Sequence, residues 1–326
     1  MRTSWLYPIF IATHVSAGVI KSTTRPLILA DINRNGIING KDITDKYTWI
    51  NKRGAIFLPN IGDKYHRCTA FDVNGLSLTS ARTASLESIS KEAVGSIYTL
   101  PESTLGSVHI FWKQPGFLLD TGSPWRIINP QFIFNASSLR TGIKLAIDAR
   151  DLVSHLSAWN GTLSLEFRIT DGNITTYNAV AMKQAPVLFY HHLQRVERVL
   201  SAGKNETSSP VQNKFIHGLE EALTNVAETP VLHLLNGTDE IWAQDFMEPG
   251  FASMPGREGP ISLRILVRSA QSTRVARRQS PLILKAGWLV IGHVDEFVQF
   301  LPYQNDLGWT ITIADTQAPL ALLRKA

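Results

Sequence analysis

The 326 residues include a single cysteine, Cys68, so no disulfide framework can staple the chain internally. Charge is sparse as well: charged residues make up 18% and the net excess is only +5. Dispersed as they are, those charges form no basic patch of the kind that marks a nucleic-acid partner. Beyond the N-terminus, no apolar run approaches the ~18 residues that a membrane span requires. The remaining composition is 44% hydrophobic, which fits a folded chain and excludes a disordered one. A chain of this length is expected to form about two domains, each large enough for its own core.

At the N-terminus, Arg2 precedes an apolar stretch from Trp5 to Val15, followed by Val15-Ser16-Ala17. That order reads as a secretory signal over residues 1–17 with a small-residue cleavage site. An ordinary first strand is the competing reading, since Pro8 and His14 interrupt the stretch. Five Asn-x-Ser/Thr sequons, at Asn135, Asn160, Asn173, Asn205 and Asn236, favour a secreted glycoprotein.

Residues 31–42 follow an oxygen-ligand pattern: Asp31, Asn33, Asn35 and Gly36, with Asp42 at the twelfth position. Calcium is a hard cation, and alternating oxygen side chains around a glycine turn supply what it needs. The flanks are strand-like, Pro26 to Leu29 before and Gly54 to Pro59 after, which is wrong for a helix–loop–helix site. A metal-free Asn/Asp/Gly turn explains the same residues. On the residues alone, both readings stand.

From 18 to 178 strands and turns prevail. Leu163, Leu165, Phe167 and Ile169 alternate with Ser164, Glu166 and Arg168, and the run ends at Asp171-Gly172-Asn173. Val108 to Trp112 and Ile143 to Ile147 behave alike. This part reads as an all-β, immunoglobulin-like sandwich. Cys68 within it reads as a buried small hydrophobe. From 179 to 326 strands and helices mix. A strand is expected at Ala185 to Phe189 and a helix over Leu193 to Leu200. A second helix is expected from Phe215 to Val226, then strands at Val231 to Leu235, Leu263 to Val267 and Trp309 to Ile313. The whole chain is therefore expected to be α+β and multidomain.

Two segments carry the chemistry. Trp288 to Ile291 is apolar and stops at Gly292; His293-x-Asp295-Glu296 comes next, and the apolar run resumes at Phe297. In an extended segment His293 and Asp295 share a face. The earlier segment is Trp242-x-Gln244-Asp245-Phe246-x-Glu248. Paired carboxylates suit the planar, always-charged guanidinium group. A histidine beside them can protonate a departing amine and then activate water.

In this order the two segments resemble the catalytic module of the protein-arginine deiminases, in their fungal-type form. The resemblance implies a C-terminal catalytic domain of the pentein type, an α/β propeller, here partial, over 179–326. It implies hydrolysis of peptidyl-arginine to peptidyl-citrulline and ammonia, with calcium as cofactor and an arginine-containing protein or peptide as substrate. Asp245 and Asp295 would clamp the guanidinium, His293 would be the acid/base, and Trp242 would pack on the substrate stem. Gln244 and Glu248 would be calcium ligands. The family also has an Asp-rich loop in its β-sandwich, followed by a Trp and a Gly-Ala-Ile strand, here Trp49 and Gly54 to Leu58. That likeness favours calcium at Asp31, Asn33, Asn35 and Asp42. Many family members are cytoplasmic, the alternative to secretion.

The departures are specific. Phe246 stands where many relatives have a glutamate ligand. No cysteine follows Cys68, whereas the family's nucleophile lies downstream of the Gly-His-x-Asp segment. The span from Val267 to Pro281 is too short for the family's intervening strands. An inactive enzyme is therefore expected. The alternatives are a catalytically dead secreted calcium-binding protein and, less favoured, a metal hydrolase with Asp245, His293 and Asp295 as ligands.

Overall fold

The structure is a computed structural model. It describes residues 25–60, 78–115, 124–150, 152–153, 159–190, 194–203, 210–227, 229–235, 247–269, 282–284, 298–304, 309–313 and 324. The segment 1–17, read as a secretory signal, lies outside them.

The strands in chain order are β1 (Ile28–Ala30), β2 (Ala55–Phe57), β3 (Thr79–Thr83), β4 (Val94–Leu100), β5 (Val108–Lys113), β6 (Trp125–Ile128), β7 (Phe134–Asn135), β8 (Lys144–Ala149), β9 (Thr162–Asp171) and β10 (Ile174–Gln184). They continue as β11 (Leu188–Phe189), β12 (Arg198–Ala202), β13 (Val231–Leu235), β14 (Met247–Met254), β15 (Ile261–Ser269), β16 (Leu282–Leu284), β17 (Val298–Pro302) and β18 (Trp309–Ile313). Helices α1 (Ala136–Thr141) and α2 (Pro210–Thr224) lie among them. Among the described residues strands far outnumber helices, so the chain is β-rich, with less helix than the mixed strands and helices expected over 179–326.

The first ten strands make two five-stranded sheets, ordered β1-β3-β8-β5-β6 and β2-β10-β9-β4-β7. One core lies between them. Ile28, Leu145 and Ile147 reach it from the first sheet, and Phe57, Leu165, Phe167 and Met182 from the second, all fully buried. Each such side chain contributes roughly 1.5–3 kcal/mol by leaving water. Trp112, Phe132 and Phe134 close one side of the core with mutually tilted or edge-on rings, centroids 4.9–5.7 Å apart. The period-two pattern of 163–169 is realised in β9, although its polar side also buries Glu166, 5% exposed and paired with Arg168.

The remaining strands form smaller groups: a sheet β11-β14-β15-β16, the parallel pair β12-β13 and the antiparallel pair β17-β18. The helix expected over 193–200 is corrected: Arg198–Ala202 is strand β12, paired in parallel with β13. Its apolar spacing was short enough to fit either element, and pairing with Val231–Leu235 decides between them. The helix expected over 215–226 exists as α2, which buries Ile216 and Leu223.

A second core joins the N-terminal sheets to the later strands. Leu58 and Ala185 pack with Ala252, Met254 and Ile265. The Thr79 hydroxyl donates to the Ile56 carbonyl at 2.9 Å and touches Met254 Sδ. The two regions also approach closely at Gly36, whose φ is +74°. A Cβ there would lie 2.1 Å from the Arg257 backbone nitrogen, in the turn between β14 and β15. Only glycine permits both that conformation and that proximity.

Candidate active site and calcium loop

The Asp31 loop folds around its own side chains. Asp31 accepts from the Asn35 and Gly36 amides at 3.0 and 2.8 Å. Asn33 Oδ1 accepts from the Asn35 amide at 3.2 Å, and Asn35 Oδ1 from the Ile37 amide at 2.9 Å. Asp42, fully buried, accepts from the Ile32 and Asn33 amides at 2.9 and 3.2 Å, and from the Asn39 amide at 2.8 Å. With Asn39 it forms a reciprocal capping box on the short 3-10 turn Gly40–Ile43.

Burial pushes the Asp31 carboxyl above its usual range. The Asp42 charge adds to that rise, while N–H donors from Gly36 and Asn35 hold it down. A neighbouring cation would relieve the crowding of negative charge. The donor set is all oxygen, as calcium demands. Asp31, Asn33 and Asn35 keep lone pairs that a cation could use. The carboxylate of Asp42 is committed to three amides and supports the loop.

Arg34, at φ +59°, ties the loop to residues 49–55. Its guanidinium donates to the carbonyls of Gly54, Asn51 and Ile50 at 2.9, 2.6 and 3.1 Å. It also stacks over Trp49, whose indole donates to the Ala55 carbonyl. The Trp49 and Gly54 positions thus fix the strand that leaves the loop.

Trp242, Gln244, Asp245, His293 and Asp295 lie outside the described residues, as does Cys68. Of the two motifs, Glu248 is described. It is half-buried on β14 and opposite Val267 of β15. Strand β14 begins two residues after Asp245, and β17 begins three after Asp295. Strand β17 answers the apolar run that resumes at Phe297, whereas β14 has no such run to announce it.

Two buried polar clusters were not singled out in the sequence. His109 Nδ1 donates to Asp148 Oδ1 at 2.9 Å, and Asn60 Nδ2 to Asp148 Oδ2 at 3.0 Å. His109 and Asp148 sit directly opposite in the β5–β8 register. Lys46, 1% exposed, donates to the carbonyls of Ile28 and Ala179 at 3.0 and 2.7 Å and to Asn178 Oδ1. Burial lowers its ammonium to about 8. A lysine between two apolar strands gives no local signal of such a fate, because most of its acceptors are remote in sequence.

Comparison with known proteins bears on the motifs directly. The family model described as protein-arginine deiminase matches residues 174–278 and 274–326. A stretch of 73 residues is 34% identical to protein-arginine deiminase type-1 of Mus musculus, covering 22% of this chain and 11% of that relative. The C-terminal half is thus similar to the protein-arginine deiminases, over a small part of the curated relative's length. The match falls in two pieces that overlap at 274–278, within the span from Val267 to Pro281.

Proposed function

We propose that residues 179–326 form a partial pentein-type propeller that recognises peptidyl-arginine, beside an immunoglobulin-like sandwich. The observation that carries this reading is the family match over 174–326, which contains both motifs in order. In the proposed site Asp245 and Asp295 accept the guanidinium N–H groups from two sides. Two N–H···O contacts of roughly 2.8 Å plus the width of the group put their carboxylates on the order of 5–8 Å apart. Trp242 covers the aliphatic stem, and His293 holds or delivers the proton that ammonia needs on leaving.

Deimination exchanges one guanidinium nitrogen for a water oxygen and releases ammonia. The resonance-stabilised carbon requires a strong nucleophile, which in this family is a cysteine thiolate. The 326 residues offer only Cys68, which precedes both motifs. Our reading is therefore a deiminase-type site that binds arginine and turns it over poorly or not at all. Loss of one member of a unit that acts together removes nearly all of its effect.

Calcium belongs to the same proposal. Asp31, Asn33 and Asn35 would hold one ion, with Asp42 supporting the loop, and Gln244 and Glu248 would contribute to another. When bound, the ion would offset carboxylate repulsion and order the backbone around it. Phe246 leaves that second set one carboxylate short. We also propose that the chain is secreted, on the strength of residues 1–17 and the five sequons. Among the described residues no helix is long and apolar enough to cross a membrane.

The test is mass spectrometry of an arginine peptide incubated with the purified chain, with calcium and with chelator, beside calorimetric titration of the same peptide. Binding without citrulline is expected. Calcium-dependent citrulline that disappears in Cys68→Ser would overturn the inactive reading. Absence of both binding and turnover would overturn the arginine site.

A further inference from the structure

The β9–β10 hairpin turns at Gly172-Asn173, between Asp171 and Ile174. Gly172 has φ +59°, and a Cβ there would meet no described residue within 4 Å, in a turn whose residues 172–177 are exposed. Asn173 is exposed, and no hydrogen bond of its side chain falls among the described residues. Thr175, two residues on and also exposed, contacts the Thr170 hydroxyl across the hairpin at 3.1 Å. Two large apolar side chains of β10, Ile174 and Tyr177, are left 68% and 69% exposed.

Other sequons are placed differently. Asn135 Oδ1 caps α1, accepting from the Ser138 amide at 3.0 Å and its hydroxyl at 3.1 Å. Asn160 Oδ1 accepts from the Thr162 amide at 2.9 Å, beside Gly161, whose carbonyl takes the Gln184 amide. Both amides belong to local turns. Asn173 stands clear of such duties, at the end of the strand pair opposite Gln184 and the second core.

We propose that Asn173 is an N-glycosylation site, a proposal that rests on the secreted reading above. Its Nδ2 would bond to the anomeric carbon of an oligosaccharide as that carbon's bond to a polyisoprenoid diphosphate donor breaks. One amide proton leaves to the medium, and the polyisoprenoid diphosphate is the leaving group. The apolar faces of the first sugars would then lie over Ile174, which is 68% exposed on an otherwise polar tip. Attachment there leaves the hairpin register intact, because the tip takes no part in the core.

The experiment expresses the full chain in a eukaryotic secretory host, once from Met1 and once behind an added strong secretion leader. Glycan release by an amidase in heavy-oxygen water marks each occupied asparagine for peptide mass spectrometry. In the leader-fused chain Asn173 is expected to be marked, and both Asn173→Gln and Thr175→Ala to lose one glycan-sized step. Thr175→Ser, which preserves the sequon, should keep it. An unmarked Asn173 in leader-fused chain that carries glycans at other sequons overturns the site. The same holds if that chain reaches the medium with no glycan at all. A marked Asn173 in the leader-fused chain, with the Met1 chain retained in the cytosol, supports the site and overturns the secreted reading alone.

Discussion

Replacing Gly36 with alanine tests whether the Asp31 loop and the β14–β15 turn form one rigid contact. Two costs add. An alanine held at φ +74° pays the left-handed penalty, about 1–2 kcal/mol. Its Cβ would also sit 2.1, 2.2 and 2.6 Å from Arg257 N, Gly256 C and Arg257 Cα, all backbone atoms that cannot rotate away. The hairpin turn must shift, an overpacking cost of about 1–3 kcal/mol. The expected total is about 2–5 kcal/mol. Gly172→Ala is the matched control, since it carries φ +59° and meets no described residue within 4 Å. It should cost only the conformational part, about 1–2 kcal/mol. Urea unfolding of both variants isolates the steric part as their difference. Hydrogen exchange of the amides at 256–259 should rise in Gly36→Ala and stay unchanged in Gly172→Ala. Equal destabilisation by the two variants, with exchange unaltered, would refute the close contact.

Asp42→Ala leaves three loop amides without their acceptor, those of Ile32, Asn33 and Asn39, and should cost on the order of 3 kcal/mol or more in urea unfolding. A loss under about 1 kcal/mol would show that water replaces the carboxylate. For Lys46 the folded value of about 8 lies below the ordinary 10.5, so the folded chain binds fewer protons between them and stability rises with pH across that window. Unfolding free energies measured on either side of it should show the rise, and Lys46→Met should abolish it; a flat profile in the parent chain would contradict the buried ammonium. Millimolar calcium should raise the melting temperature relative to chelator, and Asp31→Asn should shrink the gap, because a ligand selective for the folded state stabilises it. Superimposable melts would dismiss the loop as a cation site.

The residues that were legible in the sequence act over short distances. The Asp31 loop is built from Asx contacts two to five residues apart, so its side-chain pattern already encodes its shape. The β9 strand is legible because alternation reports a sheet with one covered face. Lys46 was not, since its partners Asn178 and Ala179 lie 132 and 133 residues away. Nor was β12, where a short apolar run fits a helix or a strand until a partner is known. The two C-terminal motifs owe their assignment to a family resemblance in residue type and order, and the family match supports that resemblance. Their mutual geometry depends on how non-adjacent strands come together, which periodicity does not report.

Strand β10 has a consequence for how this chain could have arisen. Its eleven residues run from the exposed tip at Ile174 to Gln184, and the next residue, Ala185, already belongs to the second core. The family match opens at residue 174, on the same strand. The expected division at 178/179 therefore falls inside a strand, and a cut there would strip Val180 and Met182, both fully buried, from the first core. It would also unpair β2, whose register partners are Met182 to Gln184. Strand β10 is a party wall, structural to the houses on both sides. Neither half can be shuffled, duplicated or shed at that point without opening the other to water. The segment that matches the family model is thus structurally bound to the two sheets that precede it.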